Sequence, residues 1–359
     1  VSDVASSDQS DRFANIERIF NEALSQTDEK RDAWLEQQCG SDAELLESIQ
    51  ALLRSLRRER DLSETLLNEK PDIGSRNKRL GPYQILSLLG RGGMGAVYLA
   101  QRADGQYEKK VAIKLVDLPL ATEVFFDRFR QERQILAGLD HPDIAGLLDG
   151  GISEEGILYL VMEYVEGEPI DAYCSKWAPS LSEKLKLFIR VCQAVQYAHQ
   201  NLIIHRDLKP DNILVSADGA PHLLDFGTAK LLSPDKVADA QGLTRHGFLS
   251  FTPAYASPEQ VLGKAITTAS DTYSLGVLLY LMLTGHLPYE LNEFTTEEML
   301  EIICNRAPDP PRSSDATFPD SDLEAILAKA LRKEPEARYP TAEQFASDVE
   351  AYLEHKPVS

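Results

Sequence analysis

The chain has 359 residues, 43% of them hydrophobic, enough for a two-lobed domain plus an extension. Its 57 acidic residues outnumber 37 basic ones, for a formal net charge of −20 and a pI near 4.8. That balance excludes a broadly basic nucleic-acid surface and general attraction to anionic membranes, though not a local cationic cleft.

Residues 1–10 are small, polar and acidic. They are expected to be disordered, and they lack the features of a secretory signal. Phe13, Ile16, Phe20 and Leu24 then recur at helical spacing. A second helix is expected to carry Ala33, Trp34 and Leu35 and to stop at Gly40. A third opens on SDAE, where Ser41 and Glu44 fit a capping box, and shows Leu45, Ile49, Leu52, Leu53 and Leu56 on one face. Residues 11–60 therefore read as a small helical unit, and 61–80, polar with Pro and Gly, as a linker.

From Tyr83 the apolar period changes to two. YQILSLLG, AVYLAQR and KKVAIKLV read as strands, with Asp104-Gly105 as a hairpin signal. After Tyr164 the pattern is mostly helical. The longest apolar run, Tyr273 to Gly285, is too short for a bilayer and reads as a buried helix. Cys39, Cys174, Cys192 and Cys304 are scattered, with no CxxC pair. A zinc site or a disulfide framework is not expected, and a reducing cytoplasm is the simpler setting.

Four stretches carry chemistry. GRGGMGAV places Gly90, Gly92, Gly93 and Gly95 between two predicted strands, where missing Cβ atoms let backbone N–H groups approach phosphate oxygens. VAIK puts Lys114 on an apolar strand, a cation that needs anionic partners. Phosphates are one candidate partner. Glu132, in the helical stretch FFDRFRQERQILAGL with Phe125, Phe129, Ile135 and Leu136 as apolar positions, is the other. HRDLKPDN lies in a loop between an apolar helix and the strand ILVS. There Asp207 can accept a proton from a hydroxyl, Lys209 can neutralise a phosphoryl group, and Asn212 offers a hard oxygen for Mg²⁺. In DFG, Asp225 is the second candidate metal ligand.

In this order the motifs resemble the protein-kinase family, together with ASPE at 256–259, DTYSLG at 271–276 and ARY at 337–339. The resemblance spans about residues 82–354. It implies an α+β, bilobal kinase fold over 81–355, with a β-rich N-lobe (81–164), a helical C-lobe (165–355) and the helical extension before it. It implies Asp207, Lys209, Lys114, Glu132 and Thr252 as catalytic residues, with Thr252 touching Asp207. ATP would lie among the loop glycines, Val97, Ala112 and Leu214, with Met162 at the back and the backbone of Glu163 to Val165 as hinge. Asn212 and Asp225 would hold Mg²⁺, or Mn²⁺ in its place. His205 and Phe226 would pack, Glu259 would pair with Arg338, and Asp271 would brace the catalytic loop.

KP after HRDL and Thr252 in FTPAY resemble serine/threonine kinases, and TPAYASPEQ with the Gly-Met-Gly loop is similar to the bacterial eukaryotic-like group. Ser257 departs from the family's usual Ala. The implied function is transfer of the ATP γ-phosphate to Ser/Thr hydroxyls of proteins, including the chain's own activation loop. The alternatives are a nucleotide-binding pseudokinase scaffold and a small-molecule phosphotransferase. Arg206 beside the base calls for an anion, so Thr244, and after it Ser250, are expected phosphosites. The implied partners are protein substrates and a second copy of the chain, with no nucleic acid. The implied location is the cytoplasm, with the chain either free or the cytoplasmic part of a longer anchored protein.

Overall fold

The computed structural model describes residues 28–39, 79–92, 95–105, 109–116, 133–153, 158–226, 252–290, 294–311 and 321–358, with Ile19, Ala23, Leu45, Leu46, Ile49 and Gln50. The chain divides into two units, one of residues 1–76 with 117–123 and one of 77–116 with 124–359. In the first, α1 (Asp28–Cys39) contributes Leu35 and Cys39 to a core shared with Ile19, Ala23, Leu45 and Ile49. The first helical face therefore runs through Ile19 and Ala23, which the apolar spacing had not selected. Phe13, Ile16, Phe20, Leu24, Ser41 and Glu44 lie outside the described residues.

In the second unit, β1 (Arg79–Leu80), β2 (Tyr83–Gly92), β3 (Gly95–Arg102), β4 (Lys110–Val116), β5 (Leu147–Ile152) and β6 (Leu158–Glu163) form one antiparallel sheet in the order β1-β2-β3-β4-β6-β5. Strict alternation over β3 and β4 buries Tyr98, Ala100, Val111 and Ile113 on one side, as period two requires. The turn after β3 contains Asp104-Gly105, with Gly105 at φ +77°, a conformation that glycine adopts without Cβ strain. Ile135, expected to be buried, is 47% exposed, while Leu136 is buried. Successive helical residues point about 100° apart, so one position faces the core and its neighbour faces water.

Below the sheet, β7 (Gly167–Pro169), β8 (Ile213–Ser216) and β9 (Pro221–Leu223) form a small second sheet. The helices around it are α2 (Ile170–Trp177), α3 (Leu181–Gln200), α4 (Pro258–Val261), α5 (Thr268–Thr284), α6 (Thr296–Asn305), α7 (Ser321–Ala330) and α8 (Ala342–Leu353). The apolar run from Tyr273 lies within α5, which is buried along most of its length. At Gly276 an added Cβ would stand 2.9 Å from the Ala330 Cβ, so glycine sets how closely α5 and α7 pack. Among the described residues no helix is long and apolar enough to cross a membrane.

Helix α3 leads into the HRDLKPDN loop. Ser180 and Glu183 form its capping box. At its other end Ile203 N donates to Ala198 O at 3.0 Å and Leu202 N to His199 O at 3.0 Å. This pair of bonds is a Schellman stop, whose left-handed residue is usually glycine. Here it is Leu202, at φ +62° and 92% exposed. A left-handed L-residue is disfavoured by roughly 1–2 kcal/mol, and so exposed a leucine gains almost nothing from packing. Leu202→Gly is expected to raise the urea midpoint by the equivalent of about 1 kcal/mol at unchanged m. A lower midpoint would mean that the leucine makes compensating contacts.

Candidate active site

The loop between α3 and β8 gathers four of the sequence-predicted site residues. Asp207 Oδ2 lies 3.0 Å from Lys209 Nζ, and Lys209 Nζ donates to Thr252 Oγ1 at 2.9 Å. Asn212 donates from its amide to Asp207 O at 2.7 Å and to Asp207 Oδ2 at 3.1 Å. With its nitrogen so committed, the Asn212 amide oxygen is the atom left for a cation. The hydroxyl of Thr252 meets Lys209, which joins it to Asp207 through one ammonium.

The loop is strained and held from three directions. Arg206 has φ +71°, an unfavourable conformation for a residue with a Cβ. Asp271, at the start of α5, accepts from His205 N at 2.8 Å and Arg206 N at 2.9 Å, and contacts His199 Nε2 at 2.7 Å. Burial alone would raise the Asp271 carboxyl, but the bond to His199 and the backbone N–H of Arg206 hold it below its usual value. From the other side Gln260 Nε2 donates to Arg206 O at 2.7 Å. Ser257 caps α4 in a reciprocal box with Gln260, so this departure from the family's alanine starts the helix that carries Gln260.

His205 ties the loop to the strand that ends at DFG. Its Nδ1 accepts from Asp207 N at 3.3 Å and its Nε2 meets Leu224 O at 2.9 Å, which makes the ring the neutral Nε2–H tautomer. Burial, the largest influence, pushes its pKa down and favours the same neutral form. The ring also packs on Phe226 at 4.6 Å between centroids.

Across from the loop, strand pairing sets the upper wall. Val97 stands opposite Lys114 on β3 and β4, and Ala112 opposite Met162 on β4 and β6. Lys114 is 6% exposed, and its Nζ lies 2.8 Å from Asp225 Oδ2. Asp225 itself has φ +58°. The sequence paired Lys114 with Glu132, which lies outside the described residues, as do Gly93, Thr244 and Ser250. Among the described residues Lys114 pairs with Asp225. Gly90 and Gly92 lie on β2 and Gly95 on β3, with Gly92 opposite Gly95. Leu214 is on β8, and at the hinge Glu163 N donates to Gly146 O at 2.9 Å. Behind Met162, a cavity of about 20 Å³ touches Asp225 and Phe226, room for about one water.

Sequence reasoning missed His199 and Gln260. A histidine on the last turn of an apolar helix is a weak signal, and nothing around Gln260 in the sequence announces its bond to Arg206.

These features coincide with what comparison shows. Residues 83–349 match the model of the protein kinase domain, and the chain belongs to that family. It is 38% identical over 271 residues to the serine/threonine-protein kinase PrkC of Bacillus subtilis, covering 75% of this chain and 40% of PrkC. It is 36% identical over 272 residues to PknB of Mycobacterium leprae, covering 74% of this chain and 42% of that protein. The matched part is thus well under half of these relatives' length. The fold is similar to the crystal structure of the Mycobacterium tuberculosis PknI kinase domain, with a TM-score of 0.56 and 25% identity over 77% of this chain and 98% of that one.

The site is braced from below by a buried ion pair. Arg338 Nη1 and Nη2 each lie 2.8 Å from a Glu259 oxygen, and both residues are nearly inaccessible. Ser270 also donates to Glu259, at 2.6 Å. Burial would raise the Glu259 carboxyl, but these bonds hold it low. Glu259→Gln leaves a buried guanidinium without its counter-charge and is expected to destabilise by about 3 kcal/mol in urea unfolding. A loss under about 1 kcal/mol would show that the three carbonyls also bonded to Arg338 suffice.

Proposed function

We propose that the chain is a protein serine/threonine kinase that transfers the γ-phosphoryl group of ATP to protein hydroxyls, its own activation segment included. The observation that carries this reading is the single bonded set Thr252–Lys209–Asp207–Asn212, together with the Lys114–Asp225 pair. The relatives' description as serine/threonine-protein kinases supports it.

The residues act as follows. Asp207 orients the acceptor hydroxyl and takes its proton as the oxygen attacks the γ-phosphorus, while the bond from that phosphorus to the bridging oxygen breaks and ADP leaves. Lys209 offsets the charge on the phosphoryl oxygens while its bond to Thr252 holds the acceptor segment near. Lys114 holds the α- and β-phosphates, with Glu132 as a further partner. Adenine lies between Val97 and Ala112 above and Leu214 below, with Met162 behind and Glu163 to Val165 alongside. The loop glycines cover the phosphates. An amide oxygen from Asn212 and a carboxylate from Asp225 are the hard donors that Mg²⁺ takes when phosphates supply the rest. When bound, the ion neutralises phosphate charge. Catalysis here is positioning and charge stabilisation rather than covalent chemistry.

Arg206 supports control by phosphorylation. Its Nε has no hydrogen-bond partner among the described residues, and a phosphate carried in by a rearranged activation segment would supply one. Thr244 is the first candidate and Ser250 the second. Phosphorylation between two copies and a cytoplasmic location, where ATP is present, belong to the same proposal.

Purified chain incubated with Mg-ATP is expected to gain phosphate by intact mass, with Thr244 the main mapped site and Asp207→Asn gaining none. Equal gain by the variant would remove Asp207 from the chemistry. Full activation of Thr244→Ala would remove the assigned switch and leave the catalytic assignment standing.

A further inference from the structure

Residues 252–260 touch the catalytic loop at two points, one on each side of Asp207. Thr252 Oγ1 accepts from Lys209 Nζ at 2.9 Å, and Gln260 Nε2 donates to Arg206 O at 2.7 Å. The first bond joins two side chains of the site. The second joins a side-chain amide to the backbone that leads into Asp207.

Gln260 is 7% exposed and Ser257 fully buried, so water is a poor substitute for either partner. The neighbours set which way the amide points. Ser257 N donates to Gln260 Oε1 at 3.0 Å, and Ser257 Oγ donates to the same oxygen at 3.1 Å. A backbone N–H only donates, so it selects the carbonyl end of the Gln260 side chain. The Nε2 end is left to face Arg206 O, which only accepts. An amide is therefore the group that fits. A carboxylate would set oxygen against oxygen, and an aliphatic chain would leave Ser257 N and Arg206 O unpaired in a buried place.

The donor stands on a braced platform. Gln260 follows Glu259, whose carboxylate is held by Arg338 and Ser270. Just before α4, Tyr255 O accepts from Ser274 Oγ of α5 at 2.8 Å. The acceptor belongs to the least favourable backbone of the loop, because Arg206 is left-handed at φ +71°. Its carbonyl and the Asp207 N–H form one planar peptide. That N–H donates to His205 Nδ1 at 3.3 Å. Gln260 and His205 thus hold the two ends of the same peptide, whereas Asp271 holds the N–H groups of His205 and Arg206 before it.

We propose that Gln260 is a positioning residue for phosphoryl transfer: its donation to Arg206 O fixes the plane of the Arg206–Asp207 peptide, aims the Asp207 carboxylate, and ties that aim to the seating of α4 at the end of the segment that carries Thr252. That the aim serves transfer rests on the kinase reading; that the amide holds the loop does not.

The test compares Gln260→Glu, Gln260→Leu and Ser257→Ala with the parent in the full chain. One readout is steady-state transfer from Mg-ATP to a peptide of residues 240–250, which contains Thr244 and Ser250. The other, without nucleotide, is hydrogen–deuterium exchange of residues 203–209. Gln260→Glu keeps an acceptor for Ser257 and removes the donor to Arg206. It is expected to lower kcat at least about tenfold, with a KM for ATP within about twofold of the parent, and to speed exchange across 203–209. Gln260→Leu brings in no charge and is expected to do the same, which separates the lost donor from a buried carboxylate; it carries the comparison if the glutamate variant does not fold. Ser257→Ala removes the hydroxyl cap and keeps the amide donor. It is expected to lower the urea midpoint as a lost cap does, with kcat within about threefold of the parent. A folded Gln260→Leu with kcat within about twofold of the parent would overturn the proposal. So would an equal fall in Ser257→Ala, because the stability of α4 and not the amide would then set the loop. A parent that transfers nothing to the peptide would overturn the kinase reading alone; equal exchange in the parent and Gln260→Leu would overturn the amide's hold on the loop.

Discussion

One buried carboxylate organises the centre of this molecule. Asp271 receives two backbone N–H groups from the catalytic loop and one imidazole from the preceding helix. The left-handed Arg206 peptide between them is a conformation disfavoured by about 1–3 kcal/mol, and it persists because Asp271 and Gln260 grip it from opposite sides. Everything that the loop does next depends on that grip. The chain turns at Arg206, sends Asp207 toward the cleft, and lets His205 fold back onto Leu224. Burial lowers the His205 pKa, and its bond to Leu224 O and its packing on Phe226 make the ring a strut between the loop and the strand that ends at DFG.

The second constraint joins the upper sheet to the lower sheet. Lys114 descends from β4 to Asp225, just beyond β9, while the segment before β5 is stitched to β9 by paired backbone bonds on either side of Ile144. Arg190 and Tyr197, both on α3, hold that segment through Asp143 and the Asp140 amide. One helix therefore supports the catalytic loop at its end and the segment before β5 along its side.

The motif residues were legible because their chemistry is carried by residue type and short spacing. Asp207, Lys209 and Asn212 lie within six positions of one another, and a local turn brings them together. The strands were legible from period-two alternation, and α5 from its apolar run. What was not legible depends on distant partners. Lys114 meets Asp225 across 111 positions, and no local spacing in the sequence announces that pair. Gln260 reaches Arg206 across 54 positions. The buried faces of Ile19 and Ala23, and the exposure of Ile135, turn on about 100° of helical phase that an apolar count over a short segment does not resolve.

The most direct measurement is steady-state transfer by Asp271→Asn to an acceptor peptide, beside circular dichroism and thermal unfolding. The isosteric amide keeps the volume but turns a donor toward N–H groups that need an acceptor. The account predicts a kcat at least about tenfold lower with a KM for ATP within about twofold of the parent, in a chain that remains folded. A folded variant with unchanged kcat would contradict it, because the loop would then hold Asp207 in place without the carboxylate on which this structure hangs it.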